Sequence, residues 1–193
     1  MSAFAQIDAY RGASGLIRVI GHRGARGVMP ENTIEGFRFT CDIGVEALEF
    51  DVVMSGDGHP VITHNHALSP SAVRGADGRW LAQEGIKVAD LPLDQLKSYD
   101  VGGLDSRSDY GRRFPDQAFL SGIRMPRLAE LLALVSTPPY AHVSLLLELK
   151  TDDDIFAAQL EFMDTEGIHI LPDEQRIYPY GSAAAQTIGW LGK

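Results

Sequence analysis

The sequence predicts an α/β fold built on a parallel sheet, and three observations carry that expectation. Apolar, β-branched runs alternate with helix-like segments, the rhythm of βα units. The 193 residues suit one domain at roughly 150 residues per domain. Charged residues fall at the carboxyl ends of otherwise apolar strands, the rim where open α/β sheets and barrels place their sites.

The elements follow in order. Leu16–Gly21 reads as a buried strand delivering His22 and Arg23 at its end. Asn32 is the expected N-cap of a helix with Glu35 three residues on, and Ile34, Phe37, Cys41 and Ile43 form its apolar stripe. Gly44 fits the position just past the helix end. Val45–Val53 is a second strand, and Pro60–Thr63 a short third one ending at His64. Residues 65–125 break the rhythm: rich in Gly, Asp, Ser and Arg, with one helix near Pro92–Tyr99, they read as an insertion over one end of the sheet. Arg127–Val135 resumes as a helix and Val143–Lys150 as a strand. Ile155–Glu166 reads as a helix closed by Gly167, and Ile168–Leu171 as a fifth strand. The tail from Pro172 to Lys193 holds a turn at Tyr178–Gly181 and a marginal helix at Ala183–Leu191.

Composition excludes several classes. With 17 basic and 26 acidic side chains the net charge is −9, which disfavours a nucleic-acid partner needing a clustered basic face. Any phosphate chemistry must then rest on a metal or a few local cations. The single cysteine, Cys41, rules out an intrachain disulfide or a Cys-rich zinc site. No apolar run approaches the roughly 18 residues of a membrane span, and Met1–Gly15 has no apolar signal core, so the expectation is a cytoplasmic protein. Neither GxGxxG, a P-loop nor a G-x-S-x-G elbow is present.

The chemistry lies in the charged strand residues. Glu49 and Asp51 interrupt Ala47–Val53, and a spacing of two puts both carboxylates on one face. Burying them together costs several kcal/mol unless something positive compensates. A hard cation such as Mg²⁺ or Ca²⁺ answers that, given oxygen ligands alone. The alternative is an arginine partner for one carboxylate and solvent for the other. Glu148 and Lys150 repeat the design, with a structural ion pair as their alternative. His22 and His64 follow strands on the same rim, and two imidazoles near pH 7 can serve as acid and base. His66 competes with His64 but lies further into the loop; His59, His142 and His169 read as structural.

Taken together these blocks resemble the glycerophosphodiester phosphodiesterases. The matching residues are His22-Arg23-Gly24, Pro30-Glu31-Asn32-Thr33, Gly44 through Glu49-Phe50-Asp51-Val52, Asp57 through His64, Met125-Pro126-Arg127-Leu128 and Glu148-Leu149-Lys150. The resemblance implies a TIM (β/α)8-type barrel with an insertion after the third strand, in one domain over 1–193. It also implies metal-dependent hydrolysis of a glycerophosphodiester to glycerol 3-phosphate and an alcohol. Carried over by position, Glu49, Asp51 and Glu148 correspond to metal ligands for Mg²⁺ or Ca²⁺. His22 and His64 correspond to the acid and base, and Arg23 and Lys150 to phosphate contacts. Asn65 stands where the family commonly has aspartate.

A full barrel takes about 250 residues, so the expected barrel is incomplete at its C-terminus: a fragment, a deletion form, or a chain completed as a homo-oligomer. Two other readings stand beside the enzyme. One is a non-catalytic truncated barrel used for binding or assembly. The other is the same chemistry on a lysophospholipid-like diester, which an apolar groove from Trp80, Leu81, Leu91, Leu93 and Leu96 would favour.

Overall fold

The computed structural model describes residues 19–83 and 85–149. Its elements run β1 (Ile20–His22), α1 (Ile34–Asp42), β2 (Ala47–Met54), β3 (Pro60–Ile62), α2 (Leu93–Leu96), α3 (Leu128–Val135) and β4 (Ser144–Leu149), with 3₁₀ turns at Val88–Asp90 and Gly111–Arg113. Most of the expected first strand, Lys150, and every element expected beyond it lie outside the described residues. No helix among the described residues is long and apolar enough to cross a membrane.

β2 is the hub. Along Ala47–Glu49 it pairs in parallel with β1, and along Ala47–Val52 in parallel with β4. Val52 faces Ile62 of β3 as well as Leu149 of β4, so β1 and β3 follow one another along one edge of β2 while β4 takes the other. The sheet does not close on itself among the described residues.

One expectation is corrected here. β3 runs antiparallel to β2 and is no further βα unit. Only Ser55 to His59 separate the two strands, far fewer than the dozen or more residues a parallel crossover needs. The link is a tight turn in which Gly58, at φ +82°, donates to the Ser55 carbonyl and Ser55 donates to that of His59. Asp57-Gly58 is the sequence signature of such a hairpin.

The period of β2 sorts its two faces. Leu48, Phe50 and Val52 are fully buried against Phe37 and Cys41 of α1 and Leu128 and Leu131 of α3. Each such side chain contributes roughly 1.5–3 kcal/mol. Phe37 meets Phe50 edge-on, with centroids 5.9 Å apart. Glu49 and Asp51 therefore occupy the face away from these helices, and Val53 on that face joins the insertion's own core with Val61, Leu68, Val88, Leu96 and Met125. β1 lies close over α1 at Gly21, where a Cβ would stand 2.5 Å from the Thr40 methyl and 2.8 Å from the Gly24 carbonyl.

The helix expected at Pro92–Tyr99 is one turn, α2, with Pro92 as its N-cap. The rest of the insertion is irregular and held by a buried ion pair. Arg74 Nη2 lies 3.0 Å from Asp100 Oδ1, and Asp100 also accepts from the backbone N–H groups of Gly102 and Gly122.

Candidate active site

Three carboxylates converge on the open face of the sheet. Asp51 and Glu148 are register partners on β2 and β4, so their side chains leave the sheet on the same side, and Glu49 joins them two residues earlier. One oxygen from each of Glu49, Asp51 and Glu148 lies within 4.8 Å of the others. Asp51 is 1% and Glu49 9% exposed. Burial, together with the neighbouring Asp51 charge, pushes the Glu49 carboxyl up to about 7. An all-oxygen cluster crowded this way has the donor chemistry that hard divalent cations take.

β1 brings His22 and Arg23 to the same place. Arg23 is in the left-handed region at φ +52°, followed by Gly24 at φ +80°, a conformation that costs a non-glycine residue about 1 kcal/mol or more. The bend lets the Arg23 N–H donate to Glu49 Oε2 at 3.0 Å. The guanidinium is buried, with Nε 3.3 Å from Asp51 Oδ2 and Nη1 donating to Glu31 Oε1 at 3.1 Å.

The same loop corrects the expected helix cap. Thr33, not Asn32, caps α1, its hydroxyl accepting from Gly36 N–H. Asn32, at φ +54°, is released to donate from Nδ2 to Asp51 Oδ2 at 3.1 Å. Its Oδ1 is buried with no hydrogen-bond partner among the described residues. A buried acceptor beside three carboxylates fits a bound cation or its water.

The two histidines arrive by different routes. His22 ends β1, and its Nε2 lies 3.6 Å from Glu49 Oε2. Burial first, then the charges of Arg26 and Arg23, lower it to about 4, so the ring is neutral at pH 7. His64 comes to the rim because the hairpin folds back beside β2, with Thr63 N–H donating to the Asp51 carbonyl. It is close enough for its charge to bear on His22. His64 Nδ1 meets Asn65 Oδ1 at 2.7 Å; a carbonyl oxygen only accepts, so Nδ1 is the donor in this contact. His66 is exposed, with its carbonyl accepting from Val88 N–H. Lys150 lies outside the described residues.

Six of the seven expected site residues thus lie together on one face and its rim. Sequence reasoning missed the second ring of contacts: Glu31, Asn32 in its site role, and Tyr110 of the insertion, whose hydroxyl donates to Glu31 Oε2.

Residues 22–175 match the Glycerophosphoryl diester phosphodiesterase family. The chain belongs to this family. A glycerophosphodiester phosphodiesterase of Caldanaerobacter subterraneus is 32% identical over 117 residues, 61% of this chain and 40% of that protein. A crystal structure of a family protein from Silicibacter pomeroyi shares 50% identity at a TM-score of 0.76, over 82% of this chain and 57% of that one. An Oleispira antarctica phosphodiesterase, solved with the product sn-glycerol-3-phosphate, shares 30% at a TM-score of 0.55, over 78% and 53%. The chain therefore spans about half the length of these glycerophosphoryl diester phosphodiesterase relatives. Membership implies a TIM-barrel-like fold, to which the parallel strands β1, β2 and β4 correspond.

Proposed function

We propose that this site hydrolyses glycerophosphodiesters to glycerol 3-phosphate and an alcohol, with Glu49, Asp51 and Glu148 holding Mg²⁺ or Ca²⁺. The observation that carries the reading is the three-carboxylate cluster lying beside His22 and Arg23. Family membership supports it, as does the glycerol-3-phosphate complex of the Oleispira antarctica phosphodiesterase.

When bound, a divalent ion supplies charge to stabilise the phosphoryl oxygens as they gain negative charge. The side chains divide the remaining work. Arg23 binds and orients the phosphate, its guanidinium held by Asp51 and Glu31; Lys150 adds a second cation by its position in the motif. One histidine takes the proton from the attacking oxygen, a water or the substrate's own glycerol hydroxyl, and the other returns one to the leaving alkoxide. Neutral at pH 7, His22 is able to accept a proton, and the Asn65 contact orients the His64 ring.

Two features bear on the other readings. Leu81, Leu91 and Leu93 pack against the insertion's core and Leu96 is fully buried within it, so these four leucines form no groove for a lysophospholipid-like chain, whereas Trp80 lines a separate cavity of about 400 Å³ with Leu104, Phe114 and Phe119. A protein kept only for binding or assembly has no need of three crowded carboxylates beside two histidines.

The test is release of glycerol 3-phosphate from glycerophosphocholine by the purified chain, with Mg²⁺ or Ca²⁺ and with EDTA. Turnover that needs the metal is expected. Absence of turnover across glycerophosphocholine, glycerophosphoethanolamine and glycerophosphoinositol, with the metal bound, refutes the reading.

A further inference from the structure

We propose that Tyr110, carried in by the insertion, is a positioning residue that sets the phosphate-binding guanidinium of Arg23 by way of Glu31. The inference rests on the phosphodiesterase reading above and assigns the insertion a part in it.

The three side chains form a closed set of contacts. Arg23 Nη1 donates to Glu31 Oε1 at 3.1 Å, and Tyr110 Oη donates to Glu31 Oε2 at 2.5 Å. The tyrosine oxygen also lies 3.4 Å from Arg23 Nη1, as an acceptor. Glu31 is thus engaged through both oxygens, one to the site's cation and one to the insertion. Arg23 faces a second carboxylate, Asp51, across Nε.

Charge explains why the phenol matters. Two carboxylates on one guanidinium compete with an incoming phosphate for the same cation. A neutral donor on Glu31 draws part of that carboxylate's charge away from Arg23 and fixes where it sits, so the guanidinium is oriented before substrate arrives. The donor is dependable: burial, then the Glu31 charge, raises the Tyr110 hydroxyl to about 12, so it keeps its proton at any working pH. The ring is also fixed, packed edge-on against Phe114 at 5.3 Å, with Arg26 stacked over Phe114 at 4.9 Å.

Tyr110→Phe separates positioning from packing, because it keeps the ring and removes only the hydroxyl. In the full chain with saturating Mg²⁺ or Ca²⁺, the dissociation constant for sn-glycerol 3-phosphate by calorimetry and KM for glycerophosphocholine are expected to rise about tenfold, the order of one charge-assisted hydrogen bond. kcat is expected to change less, and the unfolding temperature to fall by a few degrees at most. Tyr110→Phe combined with Glu31→Gln should be no worse than Glu31→Gln alone, since both act on one contact. Values within twofold of the parent for both Kd and KM, or effects that multiply in the double variant, overturn the inference while the phosphodiesterase reading stands. A parent chain that neither binds glycerol 3-phosphate nor releases it removes that reading and the inference with it.

Discussion

Replacing Asp100 with alanine is expected to destabilise the protein by about 3–5 kcal/mol, and the structure shows where that figure comes from. Asp100 accepts from Gly102 N–H at 2.9 Å and from Gly122 N–H at 2.8 Å; two such bonds to a charged acceptor are worth about 1.5 kcal/mol each. The alanine also strands Arg74. That guanidinium is buried beneath Trp80 and Phe119, with ring centroids 5.4 and 4.2 Å away, and among the described residues its other hydrogen bond is to the Leu120 carbonyl at 2.7 Å. Breaking a buried pair from one side costs about 3–5 kcal/mol, whereas replacing both partners with apolar groups is often close to neutral. Asp100→Leu with Arg74→Met should therefore recover only the part that comes from stranding Arg74, since the Gly102 and Gly122 N–H groups still lack an acceptor. Burial alone would raise the Asp100 carboxyl, but the Gly122 and Gly102 N–H groups and the Arg74 charge outweigh it and hold it below its ordinary 3.8. A group with a depressed folded pKa stabilises above its unfolded pKa and loses that contribution as pH falls through the folded value. The gap between parent and variant should then be constant above about pH 4 and shrink below it. Urea unfolding followed by tryptophan fluorescence, at several pH values, measures this. A loss under 1 kcal/mol at pH 7, or one as large in strong acid as at neutrality, refutes the account.

Two further predictions concern the site and its support. Glu49→Gln and Glu148→Gln should each weaken Mg²⁺ or Ca²⁺ binding by about tenfold or more, measured by calorimetry, since carboxylate count governs affinity for hard cations; unchanged affinity in both would remove them as ligands. Gly21→Ala should cost about 1–3 kcal/mol in chemical denaturation by driving a methyl into Thr40 and the Gly24 carbonyl; a neutral result would mean that β1 does not lie this close to α1.

What the sequence made legible was whatever chemistry is written at short range. Two carboxylates at period two in an apolar strand can only share a face, and Glu49 and Asp51 do; Gly44 follows the α1 cap at φ +86°, as its position past the helix stripe suggests. Longer-range competition was not legible. Asn32 and Thr33 are both good caps, and what decides between them is Asp51, which claims the Asn32 amide across 19 residues of chain. Tyr110 lies in an aperiodic stretch and meets Glu31 across 79 residues, a pairing no local pattern encodes. For His64, the expected rim position stands but the parallel-strand reasoning behind it does not. Asp57-Gly58 turns the chain back, and the hairpin returns the histidine beside Asp51.

The opposed titrations of His22 and Glu49 offer a last check, made on the protein in EDTA. Burial and the Asp51 charge raise the folded Glu49 carboxyl from 4.5 to about 7. A raised folded pKa stabilises below the unfolded pKa, and that contribution is lost as pH rises through the folded value, so this residue alone makes stability fall by roughly 3 kcal/mol between pH 4.5 and 7. His22 works in the opposite sense. Its folded pKa is lowered from 6.5 to about 4, so the unfolded chain binds the extra proton in that window and stability rises with pH. The imidazole is 45% exposed, solvent screens its share, and it offsets only part of the Glu49 slope. The parent should accordingly lose some stability from pH 5 to 7, His22→Gln should lose more, and Glu49→Gln should gain. A bound divalent cation, by holding Glu49 ionised at every pH in the window, should remove the carboxylate's slope in the parent. Parallel profiles for parent, His22→Gln and Glu49→Gln would show that the two groups do not titrate as their burial requires.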